Sequence, residues 1–310
     1  MNETSIPSDK NGFQANAWHF AALLGGNAAL AFGPWLVRLS DTGPISAGFW
    51  RLLLPIPILA LLAWRGRSPG PLDRKLILLC IVAGVFFALD LASWHTGIEQ
   101  TRLANSTLFG NAGSVILMVW GLIAARRGPS MQESAGVIAA IAGAAILLGR
   151  SMEISTTTFV GDLFCLAAGI FYVFYLMPAQ RARTKLGPWA VLLLVSLAAF
   201  PMLLGLALVT GEPVWPGPAG WTPLLVLALS SQVVGQGLLV FALRHFPPLV
   251  IGMALLTQPA LAAIIGWLAF GEVLMPMDIV GMVLVGAALV LTRVPGRSGR
   301  VATKATRKPY

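Results

Sequence analysis

The chain has 310 residues, of which 57% are hydrophobic and 11% charged, and its mean hydropathy is +0.80. Soluble domains carry about 25% charged residues, so this composition excludes a water-soluble globular protein. Ten helices of roughly 20 apolar residues would use about 200 residues and leave no room for a folded domain outside the membrane. The sequence therefore predicts an all-α polytopic membrane protein.

Ten apolar segments follow one another along the chain, and each predicts a membrane-spanning helix. We number the predicted helices 1 to 10; they cover residues 18–37, 45–64, 75–94, 104–124, 132–150, 159–179, 188–209, 221–242, 249–270 and 277–292. If the N-terminus is cytoplasmic, most of the 21 basic residues lie in cytoplasmic segments. Because positive charge is retained on that side, both termini are predicted to be cytoplasmic, in the tails 1–17 and 294–310. This topology accounts for the net charge of +9 without a nucleic-acid partner.

The two halves of the chain resemble each other. Residues 143–150, Gly-Ala-Ala-Ile-Leu-Leu-Gly-Arg, are similar to residues 286–293, Gly-Ala-Ala-Leu-Val-Leu-Thr-Arg. The spacing indicates two repeats of five helices, over residues 18–150 and 159–293. An odd number of helices inverts the second repeat, and the loop after helix 4 is indeed basic where the matching loop after helix 9 is acidic. Inverted repeats are the architecture of many secondary transporters, which bind their substrate at the repeat interface.

Two stretches of the first half carry a family resemblance, Leu89-Asp-Leu-Ala-Ser-Trp-His-Thr-Gly-Ile98 and Ala104-Asn-Ser-Thr-Leu-Phe-Gly-Asn111. In the second half, Leu256-Thr-Gln-Pro-Ala260 and Gly271-Glu272 add to it. Together they resemble the EamA-type members of the drug/metabolite transporter superfamily, and among these the YddG-type exporters of aromatic amino acids. The resemblance implies a cavity between helices 1–4 and helices 6–9, with helices 5 and 10 as a peripheral scaffold.

Proline and glycine positions indicate where the helices bend and where they pack closely. Mid-helix prolines disturb the hydrogen-bond ladder, which makes the following residues candidate flexing points: Pro34, Pro55, Pro57, Pro201 and Pro259. Helix 4 has Ser114 where helix 9 has Pro259, so the sequence supplies no proline to kink it there. Gly143 and Gly286, at equivalent positions in helices 5 and 10, predict close helix packing.

Polar side chains at membrane depth are costly in hydrocarbon and usually face a bundle interior or a watery cavity. Gln232 and Gln236 are four residues apart and share one face of an α-helix, and their amides can both donate and accept hydrogen bonds. Pro259 cannot donate to the carbonyl of Leu255, which frees an acceptor beside Gln258. The predicted substrate-binding residues are Gln232, Gln236, Tyr172, Asn111, Gln258, Asn27 and Trp94. Structural hydrogen bonds between helices are the alternative role for the amides.

Asp90 and His95 are titratable residues on helix 3 and its outer end. They are candidates for gating or for carrying a coupling proton, and a structural ion pair of Asp90 with Arg51 or Arg102 is the alternative. No Arg or Lys lies deep in a predicted helix, and the nearest candidate, Arg51, is about two turns into helix 2 from the outer side. We therefore expect a cavity of amides and aromatic rings without a fixed charge at its centre. Such a cavity fits neutral amino acids and disfavours phosphorylated or strongly anionic substrates.

Enzymatic activity is not predicted. The sequence contains neither the His-Glu-x-x-His pattern of a zinc protease nor the glycine-rich loop of a nucleotide-binding protein, so we expect no metal, no cofactor and no ATP-driven pump. A membrane-embedded lipid-modifying enzyme would need charged groups clustered at one interface, and a channel would need a continuous polar stripe. We predict an inner-membrane secondary transporter, monomeric or weakly oligomeric, that exports aromatic or neutral amino acids by alternating access. An exporter of drugs or other metabolites with the same fold is the alternative.

Overall fold

The computed structural model describes residues 16–66, 68, 70–101, 103–126, 128–149, 156–270 and 273–293. The regular secondary structure within these ranges is helical throughout. The α-helices are α1 (Ala17–Ala31), α2 (Gly33–Leu39), α3 (Pro44–Leu53), α4 (Ile56–Arg65), α5 (Arg74–Gln100), α6 (Leu103–Gly110), α7 (Ala112–Ala124), α8 (Met131–Gly149), α9 (Phe159–Ala182), α10 (Pro188–Thr210), α11 (Trp221–Leu227), α12 (Gly237–Ala242), α13 (Pro248–Leu255), α14 (Gln258–Phe270) and α15 (Pro276–Arg293). A π-helical segment (Ala228–Gln236) joins α11 to α12. The predicted tails, up to residue 15 and from residue 294, lie outside the described residues.

Seven helical stretches in the described ranges are long and apolar enough to cross a membrane. They are Ala17–Leu39, Pro44–Arg65, Arg74–Gln100, Asn105–Ala124, Phe159–Ala182, Pro188–Thr210 and Trp221–Ala242. Three shorter apolar helices occupy the positions of predicted helices 5, 9 and 10, over Met131–Leu147, Pro248–Leu261 and Pro276–Leu291. The chain is therefore a polytopic helical membrane protein, as its composition predicts.

Several of the predicted helices are interrupted along their length. Helix 1 comprises α1 and α2, helix 2 comprises α3 and α4, helix 3 is α5, helix 4 comprises α6 and α7, helix 5 is α8, helix 6 is α9, helix 7 is α10, helix 8 comprises α11, the π segment and α12, helix 9 comprises α13 and α14, and helix 10 is α15. Proline accounts for two interruptions, because Pro34 lies in the first turn of α2 and Pro55 separates α3 from α4. Pro201, by contrast, lies inside the uninterrupted α10, so this predicted flexing point is not a break.

Helices 4 and 9 are each interrupted at a turn in which an N–H group donates to the carbonyl three residues earlier. In helix 4, the N–H of Ser114 donates to the carbonyl of Asn111 at 2.9 Å, and the Asn111 amide donates to the carbonyl of Thr107 at 2.7 Å. In helix 9, the N–H of Thr257 donates to the carbonyl of Ala254 at 3.0 Å, just before the proline of α14. Helix 4 therefore breaks without a proline, at a side chain that satisfies a carbonyl of its own helix.

Glycines bring neighbouring helices into contact. A Cβ atom on Gly169 of helix 6 would lie 2.6 Å from the carbonyl oxygen of Gly110 in helix 4. A Cβ atom on Gly143 of helix 5 would lie 2.7 Å from the carbonyl oxygen of Gly281 in helix 10. The prediction that Gly286 packs closely is wrong, because nothing lies within 4 Å of a Cβ atom there. Helix 10 approaches helix 5 through Gly281 instead.

One side-chain contact occurs twice, once in each half. The Arg38 guanidinium, at the end of helix 1, donates to two carbonyl oxygens at the C-terminus of helix 3. The Gln180 amide, near the end of helix 6, donates to two carbonyl oxygens beyond helix 8. The acceptors are Ile98 O (2.7 Å), Thr101 O (2.8 Å), Leu243 O (2.9 Å) and Phe246 O (2.9 Å). The second pair lies about 145 residues after the first, so an equivalent set of helix-terminal carbonyls is satisfied in each half.

The loops at the two ends of the bundle also correspond. At one end, the Glu212 carboxylate accepts hydrogen bonds from the N–H groups of Ile45 (2.9 Å) and Ser46 (3.1 Å) and caps the N-terminus of helix 2. At the other end, the Ser68 hydroxyl accepts from the N–H of Gly187 at 3.0 Å, where helix 7 begins. We call these the Glu212 end and the Ser68 end. Helices 2 and 7 are each held at the first turn by a loop of the opposite half.

Gly143 and Gly286 occupy equivalent positions in the sequence repeat, but only Gly143 is closely packed. Substituting each of them by alanine therefore gives a variant and its matched control. Gly143→Ala places a methyl group against the backbone of Gly281, and overpacking of this kind costs about 1–3 kcal/mol. We expect a lower melting temperature for the purified protein in detergent. Gly286→Ala points into open space and should change the stability by no more than about 0.5 kcal/mol. Equal melting temperatures would contradict the packing of helix 5 on helix 10.

Candidate functional site

A cavity of about 100 Å³ lies among helices of both halves. This volume is well above the roughly 10–15 Å³ that a single buried water needs, so there is room for a small metabolite. Helices 1, 2, 3, 4, 6, 8 and 9 line it, whereas helices 5, 7 and 10 contribute no lining residue among those described. The polar and aromatic lining residues are Arg51, Phe87, Asp90, Trp94, Ser106, Thr107, Asn111, Ser114, Tyr172, Gln236 and Gln258.

The breaks and glycine contacts described above create this space. Gly110 and Asn111 line the cavity at the break of helix 4, and Leu255 and Gln258 line it at the break of helix 9. Gly169 lines it where helix 6 crosses helix 4. Because these two glycines carry no side chain, the helices approach closely while leaving volume beside the crossing. The two helix breaks therefore lie beside a polar cavity. A membrane protein tolerates irregular backbone at such a place, where it is not exposed to lipid.

Gln236 joins two tyrosines at one wall of the cavity. Its carbonyl oxygen accepts a hydrogen bond from the Tyr175 hydroxyl at 3.1 Å, and its amide nitrogen donates to the Tyr172 hydroxyl at 3.3 Å. The Tyr175 ring is fully buried and stacks on Phe87, with ring centroids 4.4 Å apart. Gln236 and Tyr172, both predicted from the sequence, thus lie side by side at the cavity, and Tyr175 lies behind them.

Asn27 lies behind the cavity and stabilises the break of helix 9. Its amide donates to the carbonyl of Ala254 at 2.7 Å, and Asn27 is fully buried. The amide of Gln258, which does line the cavity, approaches the Asn27 side-chain oxygen at 3.5 Å. The sequence predicted a freed carbonyl at Leu255, whereas the side-chain hydrogen bonds of this break go to the carbonyl of Ala254. The Thr257 hydroxyl also donates to that carbonyl, at 2.6 Å.

Gln232 does not line the cavity. It is fully buried, and its amide donates to the hydroxyl of Ser196 in helix 7 at 3.2 Å. The prediction placed it on the same face as Gln236 because residues four apart align in an α-helix. Ala228–Gln236 is π-helical, but this helix type also keeps residues four apart on nearly the same side, so it does not explain the difference. The two amides differ in what lies opposite them, since Gln232 reaches Ser196 of helix 7 and Gln236 reaches the tyrosines of helix 6.

Trp94 and His95 are adjacent in sequence but have different surroundings. Trp94 lines the cavity, where its ring lies against Gly33 and Gly110. His95 is fully buried outside the lining, and its Nδ1 lies 2.9 Å from the carbonyl oxygen of Pro44. Because that carbonyl can only accept, Nδ1 carries the proton in this contact. His95 therefore joins helix 3 to the start of helix 2.

The expectation of a cavity without a fixed charge is wrong. Arg51 lines the cavity at 3% exposure, together with Asp90 at 8%. Neither side chain forms a hydrogen bond or an ion pair with a described residue, so the predicted ion pair between them is absent from the described part of the chain. Arg102, the other predicted partner, lies outside the described residues. Sequence depth alone misjudged Arg51, because the cavity reaches towards the Glu212 end, where helix 2 begins.

Hydroxyl groups add to the lining that the sequence did not single out. Ser106, Thr107 and Ser114 all belong to helix 4. Their only sequence signal is proximity to Asn111: Thr107 and Ser114 lie at spacings that share a helix face with it, whereas Ser106 does not. Among the described residues, no group of three or more His, Cys, Asp or Glu side chains could hold a metal ion. The cavity therefore offers hydrogen-bonding groups, aromatic rings and two opposite charges.

The chain matches one family model twice. Residues 17–149 and residues 159–294 each match the EamA-like transporter family, which confirms the resemblance seen in the sequence. One crystal structure superposes on this fold with a TM-score of 0.69 at 14% identity, covering 88% of this chain and 95% of that chain. At this identity the superposition shows a common fold alone.

Curated relatives agree with this assignment. The threonine/homoserine exporter RhtA of Escherichia coli (strain K12) is 30% identical over 155 residues, 49% of this chain and 51% of that protein. This chain thus spans about half the length of that relative. An uncharacterized transporter of Archaeoglobus fulgidus is 25% identical over 268 residues, 85% of this chain and 93% of the relative. Two family matches that cover most of the sequence establish that the chain belongs to the EamA-like transporter family.

Proposed function

We propose that this chain is a secondary transporter that exports small neutral amino acids across the inner (plasma) membrane by alternating access. The observation that carries the proposal is the cavity, since both family-matched halves supply polar and aromatic residues to its wall. A site at the interface of two repeats can face either side of the membrane when one half rocks against the other. The family is one of transporters, so we propose no catalytic role.

Two features support an amino acid as the substrate. Relatives named threonine/homoserine exporters match about half of the chain at 28–30% identity, and their names also support export as the direction. The hydroxyl groups of Ser106 and Thr107 in the cavity wall can donate and accept hydrogen bonds with a small polar amino acid. The rings of Phe87, Trp94 and Tyr172 suit the aromatic amino acids.

We further propose ten membrane crossings in two inverted repeats, about 18–150 and 159–293, with both termini in the cytoplasm. The duplicated helix caps support inversion, since the Arg38 contact lies at the Glu212 end and the Gln180 contact at the Ser68 end. Basic side chains gather at the Ser68 end, which supports a cytoplasmic location for it: Arg65, Arg74, Lys75, Arg181, Arg183, Lys185 and Arg244. The breaks of helices 1, 2, 4 and 9 are the proposed flexing points.

Cysteine labelling tests this topology. In a chain whose buried Cys80 and Cys165 are replaced by alanine, Trp215→Cys at the Glu212 end should react with a membrane-impermeant thiol reagent in intact cells. Lys185→Cys at the Ser68 end should react only after the membrane is permeabilised. Both positions are accessible, since Trp215 is 74% exposed and the Lys185 side chain 59% exposed. The reverse pattern, or equal labelling in intact cells, would contradict the proposed orientation.

Counterflow tests the proposed activity. Liposomes that carry the purified protein are preloaded with an unlabelled neutral amino acid, and uptake of the same labelled compound from outside is followed. Threonine and phenylalanine are assayed separately, because the relatives favour the first and the aromatic wall favours the second. We expect uptake above empty liposomes for at least one of them without an imposed proton gradient. Absence of uptake for both, with and without a proton gradient, would overturn amino acid export in favour of drugs or other metabolites.

Gln236 and Gln232 form a matched pair for testing the site. Gln236→Ala and Tyr172→Ala remove neighbouring groups at the cavity wall and should raise the KM for counterflow roughly tenfold, the loss expected for one or two hydrogen bonds. Gln232→Ala removes only the bond to Ser196 and should leave the KM nearly unchanged. Membrane insertion and gel-filtration profiles are compared for all three variants. Unchanged transport in both Gln236→Ala and Tyr172→Ala would remove these residues from the site.

A further inference from the structure

Two side chains of opposite charge line the cavity without a hydrogen-bond partner among the described residues. Arg51 comes from α3 and Asp90 from α5, and both are more than nine-tenths buried. Within the described part of the chain, neither side chain forms a hydrogen bond, and the two form no direct ion pair with each other. The Nε of Arg51 is fully buried with no acceptor in reach. The two charges thus face one space but do not neutralise each other by contact.

Such an arrangement is costly for the protein by itself. A buried charge is tolerated when it is paired and hydrogen-bonded, and at membrane depth it marks a functional path or site. Here Arg51 offers five N–H donors in a planar fork, and Asp90 offers two carboxylate oxygens as acceptors. A ligand that brings one carboxylate and one ammonium group would satisfy both side chains at once.

We propose that Arg51 and Asp90 bind the two charged groups of a zwitterionic α-amino acid. Arg51 receives the carboxylate, which the guanidinium can bind through two parallel hydrogen bonds, and Asp90 accepts hydrogen bonds from the ammonium group. This assignment rests on the proposed export of amino acids and names the groups by which they are recognised. The ring of Trp94 then lies in the same lining for the side chain of the substrate.

The assignment explains selectivity for a neutral zwitterion. The two side chains sum to zero charge, so a bound zwitterion keeps the site neutral. A ligand that lacks one charged group leaves Arg51 or Asp90 buried without a partner, and a site built to bind a polar group rejects such analogues strongly. Simple amines and simple carboxylates should therefore bind far more weakly than the amino acid of the same shape.

Three compounds of matched shape test the assignment. L-Threonine carries both charged groups, 1-amino-2-propanol lacks the carboxylate, and 3-hydroxybutyrate lacks the ammonium group. If counterflow favours an aromatic substrate, the matched set is L-phenylalanine, phenethylamine and 3-phenylpropionate. Dissociation constants are measured from the ligand-dependent rise in melting temperature of the purified protein. In the unmodified chain we expect the amino acid to bind roughly ten- to hundredfold more tightly than either analogue.

Substitution should remove each preference separately. In Asp90→Asn the amino acid should lose its advantage over the compound without an ammonium group, but keep its advantage over the amine. In Arg51→Gln the amino acid should lose its advantage over the amine, which lacks the carboxylate, but keep its advantage over the compound without an ammonium group. If Asp90→Asn weakens the binding of all three compounds equally, the assignment is overturned, because a residue that carries only a coupling proton would give that result. Unchanged ratios in both variants would overturn it as well.

Controls separate recognition from folding and from the proposed function. Arg51→Lys keeps the positive charge and should keep part of the preference over the amine, even if Arg51→Gln does not fold. Gly286→Ala lies in open space on α15 and should retain all three dissociation constants. Exchange of amino acids with unaltered binding ratios in the variants overturns this assignment alone. Absence of both exchange and stabilisation in the unmodified chain overturns the proposed function together with it.

Discussion

Within a membrane, every backbone N–H and carbonyl group needs an internal partner, and this constraint shapes the centre of the bundle. Helices 4 and 9 break beside the cavity, and polar side chains add hydrogen bonds to carbonyl groups at the breaks. Asn111 bonds to its own helix, while Asn27 and Thr257 share the carbonyl of Ala254. Asn111 belongs to the cavity lining as well, whereas Asn27 lies behind it and approaches the lining residue Gln258. The hydrogen bonds at the breaks therefore lie at the candidate site or directly behind it.

Contacts without side chains complete the arrangement. Gly169 allows helix 6 to lie against the backbone of Gly110 in helix 4, and both glycines leave volume at the cavity wall. At the two ends, Glu212 and Ser68 hold the first turns of helices 2 and 7. The ends of the bundle are thus fastened while several helices are interrupted along their length. In the proposed alternating access, bending at these interruptions would change the cavity without breaking the contacts at the ends.

The charges of the cavity narrow the chemistry that it can accept. Arg51 supplies a buried cation where none was expected, and Asp90 balances it without touching it. Strongly anionic substrates remain disfavoured, but because of the carboxylate across the cavity rather than because a cation is missing. The proposed zwitterion satisfies both groups. Gln236 and Tyr172 then add hydrogen-bonding groups in the same space.

The membrane class, the order of the apolar segments and the family resemblance follow from the sequence by itself, because composition and spacing along the chain carry them. Six of the nine predicted site residues lie at the cavity: Gln236, Tyr172, Asn111, Gln258, Trp94 and Asp90. Depth in the membrane identified them, since polar groups at that depth turn inwards. Gln232 and Asn27 lie outside the lining because depth does not tell which inward face meets the cavity. His95, predicted for gating or proton coupling rather than for substrate binding, lies outside the lining as well.

Tertiary structure decided those faces. Gln232 bonds to Ser196 of helix 7, Asn27 bonds to the carbonyl of Ala254 behind the cavity wall, and His95 bonds to the carbonyl of Pro44. Packing also brought Arg51 to the cavity, although the sequence placed it only about two turns into helix 2. The sequence by itself determined which residues must be buried, since burial depends on their cost in lipid. Only the packing of the helices decided which of them share a space, since that depends on contacts between residues far apart in the chain.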